Sequence, residues 1–594
     1  MRPILLSGCA LVLLPLLAQP HDAHAQAYSR LAPRQPVAPV MPPRITPPGR
    51  ENNPLPQSDS LVTSSLKGLV FVSRSQDVQA AGVAVDKTGI TSPGLPLIAD
   101  SALQGALSAR LGKPVTFDDL NTIARQVDTF YRRKGHPFVT LTIPPQNVSN
   151  GIIQILVTEY RLGAVRTRGN RWFSNNLIRQ ESGLVPGQTL TLAGVQDDLD
   201  RLNSNPFRST DAVFAPGQVQ GTTDVILQTK DRLPLHVYGS YDNAGVPVLG
   251  QSEWALGGTW GNVAGLGQTL SYQFTHAASD RYSGHALTWT ASLPWQDRLQ
   301  VFGSYAWQKP DLGADNRDMG QTGHSGQASL RYVHDLPTLS LGRKMRLIQD
   351  IQIGFDFKTT NNTLEFGGIS VFDSQAEVAQ FPIVYNAAMN DPWGQTTFQN
   401  QLIFSLGGMT GANRRRNFDV LVPGANDRYV FDTLSLTRTT WLPGGLSWIL
   451  QATGQVSSTN LMYSNQLALG GLYTSRGYYT DTALGSEGVS VTNELRSPAF
   501  SLLDPLGLRS TLRDSEQIGV FYDYGHVTQV KPIPNLSNET DLSSIGLDLH
   551  SAMGRYATLT FNVGWRLRGL SGPLRQSLYG NKGAFGNLSL TVGY

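Results

Sequence analysis

The chain has 594 residues, of which 40% are hydrophobic and only 15% are charged, and its formal net charge is +3. So small a net charge gives no particular affinity for nucleic acid. The single cysteine, Cys9, lies near the start of the sequence. Once the N-terminal segment is removed, the protein has no disulfide, no thiolate zinc site and no cysteine nucleophile.

Residues 1–25 have the pattern of an export signal. Arg2 precedes an apolar run, and Ala23-His24-Ala25 supplies small residues at a cleavage site. No later run of 18 or more apolar residues occurs, which excludes helical membrane spans. An exported chain with few charges and 60 glycines can still cross a membrane as a closed β-barrel.

Residues 26–64 form a predicted linker. Nine prolines and four arginines fall between residues 26 and 60, a composition typical of a semi-extended tether. The alternative is a proline-rich ligand for a partner protein. The same prolines argue against a long amphipathic helix in this segment.

An α+β domain is predicted over residues 65–160. Thr116 has the properties of a helix N-cap, and Gly135 follows basic residues that suit the end of that helix. The predicted elements are a strand at 69–72, helices at 99–111 and 116–134, and strands at 139–143 and 152–158.

The same order of elements recurs over residues 161–232, which form a second predicted domain. It comprises a strand at 164–168, helices at 175–180 and 192–203, and strands at 212–215 and 223–228. Each domain offers a sheet edge that could bind an extended peptide by strand addition. The alternative is that the two domains are spacers.

Residues 233–594 consist of alternating segments separated by turns rich in glycine, asparagine and aspartate. Between residues 557 and 568, six apolar residues alternate with six small or polar ones, as in a strand between lipid and a wet lumen. The final strand, residues 588–594, could close a barrel against the first strand near residues 235–243. A soluble β-sandwich is the alternative.

Two short motifs in the last quarter of the chain carry most of the functional signal. The first is Thr-Ser-Arg-Gly-Tyr-Tyr at residues 474–479, and the second is Phe-Tyr-Asp-Tyr-Gly at residues 521–525. Strand periodicity places Asp523 on the less apolar face, together with Phe521 and Gly525. A carboxylate on the inner wall of a barrel requires a cationic partner, and Arg476 is the candidate.

The order of these motifs resembles the outer-membrane transporters of two-partner secretion, the TpsB family of haemolysin and filamentous-haemagglutinin exporters. Tyr131-Arg132 with Gly135 and Pro144-Pro145 resembles the family's first POTRA domain, and Gly221-Thr222-Thr223-Asp224 resembles its second. The motif Arg476-Gly477-Tyr478 resembles the family's inward-folded sixth loop. The motif formed by Phe521, Asp523 and Gly525 resembles the strand that this loop engages. The sequence departs from the family's pattern at two positions. Ser475 stands where the family often has an apolar residue, and Tyr160 stands where it often has glycine.

The resemblance implies two periplasmic POTRA domains ahead of a transmembrane β-barrel of about sixteen antiparallel strands. It further implies a Gram-negative outer-membrane translocator that exports, and in some cases activates, a partner exoprotein carrying an N-terminal secretion domain. The cargo would bind POTRA edges within residues 65–232, and the functional loop and its lumen contact would be Arg476, Gly477, Tyr478, Phe521, Asp523 and Gly525.

The alternative function is an outer-membrane assembly factor that inserts other barrels, which shares the fold and the loop. A passive porin would not need the two N-terminal domains. An enzyme is not expected, because the histidines are scattered without ligand spacing and no Ser/His/Asp set is recognisable. We therefore expect no catalytic residue, cofactor or metal, and outer-membrane lipid as the surroundings of the barrel.

Overall fold

The computed structural model describes residues 32–34, 44–46, 58–84, 87–311, 319–342, 345–366, 369–505, 507, 513–533, 538–570 and 583–594. The predicted signal peptide, residues 1–25, and most of the predicted linker lie outside these residues. Two compact units are present: residues 41–233, and residues 1–40 together with 234–594. Within the described ranges, none of the helices is both long and apolar enough to cross a membrane.

The described residues of the unit 41–233 form ten strands and four α-helices. In chain order they are β1 (Ile45–Thr46), β2 (Leu61–Thr63), β3 (Gly68–Val72), β4 (Gly89–Thr91), α1 (Ser101–Ser108), β5 (Val115–Thr116), α2 (Phe117–Arg133), β6 (Val139–Thr142), β7 (Ile152–Glu159), β8 (Arg161–Arg168), α3 (Asn175–Ser182), α4 (Leu192–Leu202), β9 (Arg208–Pro216) and β10 (Thr222–Asp231).

The predicted recurrence of one element order is confirmed. Strand β3 is followed by α1, α2, β6 and β7, and strand β8 is followed by α3, α4, β9 and β10. In the first sheet β3 runs parallel to β7, and β7 runs antiparallel to β6. In the second sheet β8 runs parallel to β10, and β10 runs antiparallel to β9. The short strands β1, β2, β4 and β5 were not predicted, because two or three residues carry no periodic signal.

Each of the two sheets has its own apolar core. The first core joins residues of α1 and α2 to β3 and β7, and includes Phe71, Ile123, Val127 and Tyr131. The second joins α3 and α4 to β8, β9 and β10. Amphipathic helices on one face of a small sheet bury their apolar stripes in this way.

The predicted N-cap of α2 is confirmed. The Thr116 hydroxyl accepts a hydrogen bond from Asp119 N, and the Asp119 carboxylate accepts one from Thr116 N. This reciprocal pair is a capping box. The Thr116 N–H lowers the pKa of Asp119, and the Thr116 hydroxyl and Arg110 act in the same direction.

The second unit contains a closed barrel of sixteen strands, as predicted. The strands, with the small elements between them, are β11 (Leu235–Asp242), β12 (Glu253–Val263), β13 (Gln268–Ala277), β14 (Tyr282–Ser292), β15 (Arg298–Gln308), β16 (Met319–Ser340), β17 (Arg346–Phe366), β18 (Ile369–Asp391), β19 (Gly394–Leu406), α5 (Arg415–Leu421), β20 (Arg428–Trp441), β21 (Ser447–Ser457), β22 (Leu467–Leu469), β23 (Ala483–Gly485), β24 (Glu487–Arg496), β25 (Asp514–Thr528), β26 (Glu539–Met553), β27 (Ala557–Arg566) and β28 (Ala584–Gly593).

The last strand closes the barrel against the first, as the sequence predicts. Strands β28 and β11 pair antiparallel, from Tyr238 opposite Gly593 to Asp242 opposite Ser589. Neighbouring barrel strands are antiparallel throughout. Closure satisfies the backbone hydrogen bonds of both terminal strands, which is the condition for crossing a bilayer with strands.

Strand β25 shows how the two faces of the barrel wall differ. Ile518, Val520 and Tyr522 point outward and are 51%, 49% and 45% exposed, whereas Phe521 and Asp523 point inward and are buried. The outward residues are apolar, as lipid requires. The side chains of Phe521 and Asp523 therefore face whatever occupies the lumen beside β25.

Thr116→Ala removes the hydroxyl half of the capping box. We expect it to lower the unfolding free energy of the α+β region by about 1 kcal/mol. Circular dichroism at 222 nm during thermal unfolding of the full chain in detergent measures the loss of stability as a lower melting temperature. Thr122→Ala, on the exposed side of the same helix, is the control and should change the melting temperature less.

Candidate functional site

The loop between β21 and β24, residues 458–486, folds against the inner wall of the barrel. Within it β22 and β23 form a short antiparallel ladder, from Leu467 opposite Gly485 to Leu469 opposite Ala483. Between these strands lies the tip, residues 474–479. Leu469, Ser475 and Tyr478 are all buried, so the ladder and the tip pack against the barrel wall.

Arg476 at the tip forms a bidentate ion pair with Asp523 of β25. Its Nε donates to Asp523 Oδ2 at 2.9 Å and its Nη2 donates to Oδ1 at 2.8 Å. The backbone N–H of Arg476 donates to the same carboxylate at 2.9 Å. Arg476 is 7% exposed and Asp523 is fully buried. Three charge-assisted bonds with this geometry fix both the position and the orientation of the tip.

Glu494 of β24 is a second carboxylate partner that the sequence did not reveal. Arg476 Nη1 donates to Glu494 Oε2 at 2.6 Å, and Arg496 contacts the other oxygen of Glu494. Glu494 lies directly opposite Phe521 in the ladder between β24 and β25. Only the strand register brings it to Arg476, and the register cannot be obtained from one strand's periodicity.

The other predicted residues of β25, Phe521 and Gly525, also contact the loop. The Arg476 guanidinium lies over the Phe521 ring, 3.6 Å from its centroid, as in a cation–π contact. A Cβ at Gly525 would lie 2.7 Å from a methyl of Leu469 and 3.1 Å from Ser475 Oγ. At Gly525 the loop therefore passes so close to the strand that a side chain on this residue would clash with it.

Gly477 makes an equally close approach to β27. It has a φ of +95°, and a Cβ built on it would lie 2.9 Å from the carbonyl group of Gly564. A Cβ on Gly564 would in turn lie 2.6 Å from Gly477 N. Arg566 Nε donates to Gly477 O at 2.7 Å. Two glycines facing each other allow the two backbones to touch.

Tyr478 anchors the tip to the neighbouring strand β26. Its hydroxyl lies 3.0 Å from Ser543 O and 2.6 Å from Arg568 O. Beyond it, Thr480 Oγ1 donates to Ala244 O, in the turn after β11. All six predicted site residues are thus brought together with the wall formed by β24 to β27, and the loop also reaches the turn after β11.

Glu494, Asp548 and His550 lie close enough to share one metal ion. Both carboxylate oxygens of Glu494, Oδ2 of Asp548 and Nε2 of His550 already have partners, whereas Oδ1 of Asp548 has no hydrogen-bond partner among the described residues. Arg476 and Arg496 engage Glu494, and His550 Nε2 lies 2.6 Å from Asp548 Oδ2 and 3.2 Å from Glu494 Oε1. With two guanidinium groups at its carboxylates, the cluster acts as an ion-pair network that extends the arginine site.

The sequence matches two family models. That of the haemolysin secretion/activation protein ShlB/FhaC/HecB matches residues 221–549, and that of the ShlB-type POTRA domain matches residues 86–159. The first match covers more than half of the chain.

Curated relatives and solved structures agree with these matches. The chain is 23% identical over 461 residues to the heme/hemopexin transporter protein HuxB of Haemophilus influenzae, covering 75% of this chain and 77% of HuxB. It is 23% identical over 411 residues to the outer membrane transporter CdiB of Escherichia coli, covering 64% of each chain. The structure of CdiB from Escherichia coli superposes with a TM-score of 0.70 at 16% identity, covering 94% of each chain, and so shares the fold.

Gly564→Ala should push the tip of the loop away from β27. The added methyl group would meet Gly477 N at 2.6 Å, and overpacking of this kind costs about 1–3 kcal/mol. We expect a Ser475→Cys reporter, buried in the parent protein, to react with a maleimide about tenfold faster in the Gly564→Ala background.

Gly454→Ala is the matched control, because a Cβ at Gly454 meets no atom within 4 Å. It should leave the labelling rate unchanged. Equal rates in the Gly564→Ala and Gly454→Ala backgrounds would contradict the contact described for the tip.

Proposed function

Because the chain belongs to the haemolysin secretion/activation family ShlB/FhaC/HecB, we propose that its inward-folded loop is the element that enables export. The protein is an outer-membrane transporter of two-partner secretion, which acts with a secreted partner protein. Its barrel lies in the outer membrane and its POTRA domains lie in the periplasm. The family match favours this function over assembly of other barrels.

The single observation that supports the proposed role of the loop is the bidentate pair between Arg476 and Asp523. Both side chains are buried, and together they join a loop to a wall strand 47 positions away. Breaking a buried pair by removing one partner costs about 3–5 kcal/mol when water is excluded, and less in a hydrated lumen. The pair therefore fixes the tip of the loop, while closure of the barrel depends on the strand ladders.

The cargo is proposed to be an exoprotein with an N-terminal secretion domain that reaches the transporter unfolded. Strand addition to a sheet edge of the periplasmic domains would capture it. Among the described residues, β6 and β8 stand at the ends of their sheets, and the start of β8 is also bridged at Arg161 to Thr189. Strand β9 is not an edge strand of its sheet, because β1 pairs with it at Ala212 and Val213.

Energy for export is proposed to come from folding of the cargo outside the cell. The sequence contains no Gly-Lys-Ser/Thr phosphate-binding loop, so the chain has no recognisable means of nucleotide hydrolysis. Capture in the periplasm should then be weak and reversible, because a tightly held segment could not move on into the lumen.

Arg476→Ala should abolish or strongly reduce secretion while the barrel still assembles. The substitution leaves the Asp523 carboxylate buried without its bidentate partner. Secretion is measured as cargo in the culture medium, and assembly as the heat-modifiable mobility of the barrel in electrophoresis. Arg438→Ala is the matched control, since Arg438 pairs with Asp391 elsewhere in the barrel. Normal secretion by an assembled Arg476→Ala barrel would refute the proposed role of the loop.

Deletion of residues 65–160 should abolish binding of the cargo's N-terminal domain. The deleted segment contains β6, the sheet edge proposed for strand addition. A pull-down with the full-length and shortened transporters, both assembled in detergent, measures binding. Undiminished binding by the shortened transporter would place cargo recognition outside this segment.

A further inference from the structure

We propose that the inward-folded loop is held at two separate places, and that Lys358 of β17 and Asn465 of the loop form the second. This inference rests on the proposed function of the loop and concerns how its position is controlled. We call this pair the base clamp, because Asn465 lies near the start of the loop and Arg476 lies at its tip.

The base clamp is a direct contact between the wall and the loop. Lys358 Nζ donates to Asn465 Oδ1 at 2.8 Å and to Ser464 O at 3.3 Å. Lys358 is 6% exposed and Asn465 is 5% exposed. An ammonium group buried to this extent needs oxygen partners, and the loop supplies two of them.

Three further wall strands bind the same asparagine, the third being β20, whose Tyr429 hydroxyl accepts a hydrogen bond from Asn465 Nδ2 at 3.3 Å. Asn465 Nδ2 donates to Gln380 Oε1 of β18 at 2.9 Å, and Gln455 Nε2 of β21 donates to Asn465 O at 3.1 Å. The Gln380 amide nitrogen donates to Asp356 Oδ2 at 3.0 Å. Side-chain and backbone groups of Asn465 are thus used together, which fixes the residue in position and orientation.

The wall carries an ion pair of its own beside Lys358. Asp356 lies two positions earlier on the same face of β17 and is itself paired with Arg331, whose Nη2 lies 2.7 Å from Asp356 Oδ1. The wall therefore carries its own ion pairs, and the Lys358 amine remains directed at the loop. Lys358 acts as a positioning residue in this arrangement.

The base clamp and the arginine site use different strands. Asn465 is bound by β17, β18, β20 and β21. Arg476 is bound by β24 and β25, and the tip touches β26 and β27. If the contacts at one site are lost, the loop remains bound to the wall at the other site. Full release of the loop from the wall requires both to open.

The test follows one cysteine in the loop between the two sites. Leu472 is buried, and Leu472→Cys in a chain carrying Cys9→Ser provides a single thiol. Its rate of reaction with a membrane-impermeant maleimide is measured in isolated outer membranes. The backgrounds are the parent protein, Lys358→Met, Arg476→Ala, and the last two combined.

We expect the double variant to label about tenfold faster than Arg476→Ala alone, because only the double variant removes the side-chain contacts of both Lys358 and Arg476. In the Arg476→Ala background, Lys358→Arg should label as slowly as Arg476→Ala alone, since arginine keeps a buried cationic donor at this position. Lys309→Met, at an exposed lysine of the barrel, is the control and should have no effect. Equal rates in Arg476→Ala and in the double variant would overturn the proposal.

Two measures keep the test decisive. If Lys358→Met fails to assemble, Asn465→Ala removes the same contact from the loop side and leaves the wall intact. Labelling reports loop position without reference to cargo. Normal secretion by Arg476→Ala would therefore refute the proposed function, while the labelling comparison would still decide whether the base clamp exists.

Discussion

The buried guanidinium group of Arg476 is the constraint on which the rest of the site depends. Carboxylates at hydrogen-bonding distance stabilise this buried cation, and Asp523 and Glu494 supply them from adjacent strands. The ring of Phe521 covers its face. Because these partners come from two strands, the position of the loop tip depends on the register between β24 and β25.

The sixteen-stranded barrel provides that register and the space around it. Closure of β28 against β11 brings the turn after β11 to the same region as β24 to β27, so Thr480 can reach Ala244. Glycine determines how near the loop can come. Gly477 and Gly564 face each other without side chains, and a Cβ on either would meet the other's backbone. The tip is thus fitted by shape and by charge together.

The sequence could predict whatever depends on local periodicity. The alternation of β25 gave the direction of Asp523, and Thr116 with Asp119 marked the start of α2. Contacts between distant strands could not be obtained in this way. Glu494, Arg566 and the pair of Lys358 with Asn465 become neighbours of the loop only through barrel register. The inward fold of the loop came from family resemblance, since no pattern in residues 458–486 specifies it.

The most direct test of this account is a double-mutant cycle in secretion on Arg476→Ala and Asp523→Ala, with barrel assembly checked for each variant. If the two side chains act as one pair, the double variant should secrete no less than the worse single variant. Losses that multiply in the double variant would show that Arg476 and Asp523 act independently, and would contradict the account.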